Sequence, residues 1–124
     1  MMDKCGVFRT EAVLRECLFN VKELQARFQD AGIDDKSKQF NTDLLDAIEL
    51  GHMLDYAEVI VTGAIARQES RGGHARKDFP KRDDDRWHRH TLAYKTDDGP
   101  RLEYSEVNMR PVYRDPYPLE DRKY

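Results

Sequence analysis

Residues 44–68, LLDAIELGHMLDYAEVIVTGAIARQ, decide the fold. Leu44, Leu45, Ile48, Leu50, Leu54, Ala57, Ile60, Val61 and Ala64 recur at helical spacing and cover more than one face. A helix that is apolar on two faces needs packing from two sides. Asn41-Thr42-Asp43 supplies capping chemistry just before it, so a helix is predicted over about 42–69. Upstream, Val13, Leu14, Cys17, Leu18, Val21, Leu24 and Phe28 define one apolar stripe, with Thr10 as N-cap and Glu11 near the positive end of the dipole. This predicts a first helix over about 10–29, with Gly32 as its stop. Met1–Val7 reads as the tail of an earlier element. The first helix can cover only one side of the second, so later chain or a piece outside this sequence must cover the other.

Downstream the character changes. Gly72-Gly73 is expected to end the second helix. HARKDFPKRDDDRWHRH, residues 74–90, is dense in charge and is expected to run extended over the surface, anchored by Phe79 and Trp87. Thr91–Tyr94 and Leu102–Val107 flank Asp97-Asp98-Gly99, which predicts a small hairpin or two short extended pieces. The close, MRPVYRDPYPLEDRKY, carries three of the five prolines and is expected to be irregular.

Composition narrows the function classes. The 124 residues suit one small domain, with 36% charged and 39% hydrophobic residues. Apolar residues thin out after about position 65, leaving the second half little to pack with unless it lies on a larger partner. The net charge of −3 is spread over interleaved acids and bases, so no basic face argues for nucleic acid. No apolar run approaches the roughly 18 residues of a spanning helix. The N-terminal run MMDKCGVFRTEA has no signal-peptide pattern. Cys5 and Cys17 read as free, buried thiols rather than a disulfide, with Cys5 the more exposed of the two.

Candidate chemistry is sparse. His74, His88 and His90 lie near acidic residues, but no CxxC or HExxH spacing accompanies them, so solvated or hydrogen-bonded imidazoles are the default. Cys17 falls on an apolar helix face, nothing marks a base beside Cys5, and Ser70 lacks a nucleophile-elbow context. Gly72-Gly73 follows a helix and precedes a loop, the reverse of a dinucleotide-binding turn. The densest cluster is Arg67, Glu69, Arg71, His74 and Arg76. Arg67 and Arg71 are expected to share a helix face, with Glu69 off it. Composition alone favours a solvated helix end. The alternative is a guanidinium clamp that ties the helix end to another domain.

At this cluster a resemblance enters. ARQESRGGHARKDFPKRDDDRWHRHTLAY, residues 66–94, resembles the late segment of succinate dehydrogenase and fumarate reductase flavoprotein subunits. Their A-R-x-E-S-R-G-x-H-x-R-x-D-[FY] run matches Ala66–Phe79, and their W-x-x-H-[TS]-L run matches Trp87–Leu92. Gly6–Glu11 resembles the start of that domain and Phe40–Leu44 the start of its second helix. Leu102-Glu103-Tyr104, Val107-Asn108-Met109 and Arg122-Lys123-Tyr124 resemble its tail. L-aspartate oxidases share the E-S-R-G-x-H element but are expected to lack the long tail.

The resemblance implies a mainly α fold. It is a small, spectrin-repeat-like bundle of two to three helices over residues 1–70. An extended, largely irregular tail over 71–124 leaves room for a short β hairpin. It implies a C-terminal domain of a subunit that binds FAD covalently, oxidises succinate to fumarate, and passes electrons through an iron–sulfur subunit to quinone. The same domain of a fumarate reductase or an L-aspartate oxidase is the nearest alternative. It further implies that the flavin, catalytic and capping motifs lie upstream, so no catalytic, cofactor-binding or metal residue is assigned here and the chain alone is expected to be inactive. Expected partners are the flavin-binding and capping domains, the iron–sulfur subunit and, indirectly, a membrane anchor. In a bacterium this places the assembly on the cytoplasmic face of the inner membrane. Arg67, Glu69, Arg71, His74 and Arg76 become inter-domain clamp candidates, with Arg71 expected on the surface facing the flavin domain. The reading from another class is a free-standing helical interaction module. An upstream reading frame, in phase and carrying a flavin-binding GxGxxG, would separate the two.

Overall fold

The computed structural model describes residues 1–110, 112–115, 117–118 and 120. In chain order these form β1 (Phe8–Arg9), α1 (Glu11–Phe28), α2 (Thr42–Ala66), β2 (Ala75–Arg76), α3 (Asp84–Trp87), β3 (Arg89–Tyr94) and β4 (Arg101–Glu106). The fold is the expected mainly α bundle with a short hairpin.

Each long helix starts where capping chemistry places it. The Thr10 hydroxyl accepts from the Val13 N–H and the Asn41 side chain from the Leu44 N–H, satisfying donors that a helix start leaves open. Gly32 is not the stop of α1. The helix ends at Phe28, and the N–H groups of Gln29, Asp30 and Ala31 tighten onto carbonyls three residues back before Gly32 is reached.

The two helices form an antiparallel pair. Phe28 lies against Gly51, Lys22 and Gln25 meet Glu58, and Leu14 and Cys17 pack with Val61 and Ala64. Register is set by the stripes at Leu14, Cys17 and Val21 on α1 and at Leu54, Glu58, Val61 and Ala64 on α2. Cys5 joins this core, because the first residues fold back under α1 through a turn in which the Cys5 N–H donates to the Met1 carbonyl. Cys5 is the more exposed of the two thiols, as expected, though only slightly. Both thiols are free and buried, and burial pushes the Cys5 pKa up.

The other face of α2 stays open. Leu45, Ile48, Met53, Tyr56 and Ile60 are all exposed, as the two-faced apolar pattern required. None of the helices described is long and apolar enough to cross a membrane.

The second half is more ordered than a run of surface chain. β2 pairs in parallel with β1, Ala75 opposite Phe8 and Arg76 opposite Arg9. β3 and β4 pair antiparallel from Arg89↔Glu106 to Tyr94↔Arg101, which is the expected hairpin. Its turn is closed by Gly99, at φ +108, and its tip lies against the Lys22–Glu58 ion pair between the helices. Residues 74–90, expected to be extended, contain both β2 and the one-turn α3, capped by Asp83. Trp87 is a buried anchor as expected, and Phe79 is half-buried. After Met109 the described residues take neither helix nor strand. The tail resemblance at Arg122-Lys123-Tyr124 lies outside the described residues.

Candidate functional site

The site grows from one structural fact: α2 ends at Ala66, earlier than expected. Arg67 is its C-cap in extended backbone, and residues 68–70 are not helical. Arg67 and Arg71 therefore do not share a helix face. They converge on Glu69, which was expected to lie off that face and is instead fully buried between them.

Glu69 accepts from Arg67 Nη1 at 2.6 Å, from Arg71 Nε at 2.8 Å and Nη2 at 3.1 Å, and from the Asp83 N–H at 2.9 Å. Both carboxylate oxygens are thus occupied, which is the condition under which a buried carboxylate can stay charged. Burial pushes its pKa up, but the hydrogen bonds from Arg71, the Asp83 backbone and Arg67 outweigh this and leave it below the usual range. Arg71 also pairs with Asp84 at 2.5 Å, and Arg67 donates to the carbonyls of Trp87 and Arg89. The Arg67 guanidinium stacks 5.3 Å from the Trp87 ring centroid. One carboxylate thereby ties the end of α2 to α3 and to the start of the hairpin.

Arg76 performs a second junction. Its fully buried Nη1 donates to the carbonyls of Ala64 and Ile65, at 2.9 and 3.2 Å, where a helix end leaves acceptors unsatisfied. A cation there also suits the negative end of the α2 dipole. Its Nε and Nη2 grip Asp78 at 2.8 and 2.7 Å, and Asp78 in turn accepts from the Glu11 N–H at 2.9 Å. Asp78 therefore lies at the positive end of α1. The Arg76 hydrogen bonds hold its carboxyl well below the usual carboxylate range. A single ion pair thus serves opposite ends of two antiparallel helices.

The residues between complete the knot. Ser70 Oγ accepts from the Arg76 N–H at 2.9 Å and donates to the Phe79 carbonyl at 2.8 Å. Gly72-Gly73, read from the sequence as the helix stop, forms a two-residue reversal closed by Arg71 and His74, with Gly72 at φ +56. His74 Nε2 lies 3.0 Å from the Arg67 carbonyl, so that nitrogen carries the proton. Its Nδ1 then accepts from Arg9 Nη1 at 2.8 Å. Burial lowers the His74 pKa, and the neighbouring Arg9, Arg76 and Arg67 charges push the same way against the Arg67 carbonyl. The imidazole is neutral at pH 7.

All five clamp candidates therefore meet at the end of α2. Sequence reasoning missed Asp78, Asp83, Asp84, Ser70 and Arg9, the partners that complete the cluster. The signal available was weak: an acid two residues after Arg76, and Asp83 at a helix N-cap position. His88 and His90 are not part of the cluster. Among the described residues no group of three or more His, Cys, Asp or Glu side chains is arranged to hold a metal ion. A flavin does not fit here either. The glycine pair turns between two short extended pieces instead of leading a strand into a helix, and the arginines are engaged by Glu69, Asp78 and backbone carbonyls.

The sequence model of the family described as fumarate reductase flavoprotein C-term matches residues 1–124. The chain is 46% identical over 112 residues to the fumarate reductase flavoprotein subunit of Escherichia coli K12, covering 88% of this chain and 19% of that protein. It is 43% identical over 110 residues to the succinate dehydrogenase flavoprotein subunit of Rickettsia conorii, covering 88% of this chain and 18% of that protein. Among solved structures it is similar to the FrdA chain of E. coli quinol fumarate reductase, with a TM-score of 0.83 and 43% identity over 94% of this chain and 20% of that one. The chain thus spans about a fifth of the length of the relatives it matches.

Proposed function

The chain belongs to the fumarate reductase and succinate dehydrogenase flavoprotein C-terminal family, and from that premise we propose that it is the packing domain of a flavoprotein subunit that interconverts succinate and fumarate. The chemistry would belong to the rest of that subunit, with FAD bound there, and this domain would be inactive alone. Electrons would pass from the flavin to an iron–sulfur subunit and on to quinone at a membrane anchor. In a bacterium the assembly would lie on the cytoplasmic face of the inner membrane.

The observation that carries this reading is where the densest charged cluster of the chain is engaged. Arg67, Glu69, Arg71, His74 and Arg76 hold helix ends and loops together, while α2 leaves Leu45, Ile48, Met53, Tyr56 and Ile60 uncovered. A rigid knot beside an open apolar face is what a domain needs in order to seat on a larger body. The clamp would act by shaping that seat, with the flavin-binding and capping domains as the partners it faces. Relatives of both enzyme names match at similar identity, which supports a reading that covers both enzymes.

Two measurements test this. The purified chain, mixed with FAD and succinate or fumarate, is expected to show neither turnover nor stoichiometric flavin binding, and either result would overturn its inertness. In the complete subunit, Arg71→Ala is expected to reduce folding yield or flavin loading. A variant that folds and loads normally but has altered substrate affinity would contradict a packing role.

A further inference from the structure

One part of the knot is left electrically open. An open cleft of about 310 Å³ lies between α2, the hairpin and the Arg9–His74 contact. Its walls are largely apolar, including Val59, Ala64, Ala93 and Leu102, and its charged lining is Arg9 and Arg67. Arg67 is neutralised by Glu69, and the nearby Arg76 by Asp78 and Glu11. Arg9 has no such partner: among the described residues its bonds go to the Gly6 carbonyl and to His74 Nδ1. Both acceptors are neutral, and the Nη2 edge of the guanidinium makes no hydrogen bond among the described residues. A half-buried guanidinium in an apolar cleft, with Nη2 unused and its charge unpaired, is suited to take a carboxylate. Exposed Ile60 lines the cleft from the open face of α2.

We infer that this cleft receives one aspartate or glutamate side chain from the part of the subunit outside these residues. The inference rests on the packing role proposed above and adds the chemistry of the contact. The incoming carboxylate supplies the charge that Arg9 lacks, while the apolar rim closes over it and excludes water. Neutral His74 holds the guanidinium by accepting from Nη1, which leaves Nη2 for the visitor.

The test uses the complete flavoprotein subunit carrying Arg9→Lys, treated with a zero-length carbodiimide and digested for mass spectrometry. The expected product is an amide bond between the R9K side chain and an Asp or Glu that lies outside the 124 residues. Coupling only to acids within them, such as Glu11 or Asp78, or no coupling at all, would overturn the inference. Hydrogen exchange over residues 44–60 in the same preparation keeps the two readings apart. Slower exchange there than in the 124-residue chain, without coupling, sinks the carboxylate and spares the packing role, whereas equal exchange in the two sinks the packing role itself. If R9K does not fold, phenylglyoxal labelling of the unaltered subunit decides. Arg9 must resist the reagent relative to exposed Arg27, and equal labelling overturns the inference.

Discussion

Glu69 is the residue on which the second half of the chain depends. It is fully buried and holds two arginines and a backbone N–H. Removing it leaves Arg67 without its ion-pair partner and the Asp83 N–H without an acceptor, while Arg71 keeps Asp84, so the cost is up to about 3–5 kcal/mol. Glu69→Ala is therefore expected to lower stability by that amount in urea unfolding, and Glu69→Gln, which keeps an acceptor, by less. His74 makes stability depend on pH. Its folded pKa is below its ordinary value of 6.5, so the unfolded chain binds the proton more readily. The contribution is complete above pH 6.5 and is lost as pH falls from there through the folded pKa. His74→Gln is expected to flatten urea midpoints measured between pH 7 and 5. A second loss follows at lower pH, below the ordinary values of 4.5 for Glu69 and 3.8 for Asp78, because both carboxyls are depressed in the fold. That loss should survive in the H74Q variant.

Among the elements, the hairpin and the helical pair are joined at a point that sequence periodicity does not reveal. Gly99 sits at φ +108, and a Cβ there would come within 2.8 Å of Glu58 Oε1. The carboxylate can move aside, but Gly99→Ala forces a side chain into a backbone conformation that L residues rarely adopt and should destabilise by roughly 1–3 kcal/mol. The expected signature is a lower melting temperature with unchanged helical content, since Gly99 lies in the turn between β3 and β4, not in a helix. A neutral result would mean that the turn does not hold residue 99 at positive φ. The helices themselves were legible because capping residues and apolar spacing are local signals, and Thr10 and Asn41 cap where the sequence placed them. The end of α2 was not legible. Arg67 and Gln68 are good helix formers. The helix stops before them because Glu69 draws Arg67 away and the Arg76 side chain, nine residues on from Arg67, takes the carbonyls a further turn would have used.

Across the whole molecule, the open face of α2 is the feature with consequences. Contiguous exposed apolar surface on this scale marks an interaction site. The chain alone should bind an apolar dye such as ANS and self-associate in sedimentation. Replacing Leu45, Ile48 and Met53 together by serine should abolish both with little change in helical content, because all three side chains are already exposed. Persistent dye binding in that variant would place the sticky surface elsewhere. In the complete subunit the same triple change should weaken seating of the domain.

The sequence by itself determined the helical class, both helix starts, the hairpin and the family, since caps, periodicity and an ordered run of motif residues are all encoded within short windows. It also required an uncovered face on α2. Only the tertiary structure decided how the motif is used. The buried position of Glu69, the early end of α2, the Arg76–Asp78 link between opposite helix ends and the β1–β2 pairing join residues as far as 67 positions apart. No local pattern specifies such contacts, because each exists only after the helices have packed and left their terminal N–H and C=O groups in need of partners.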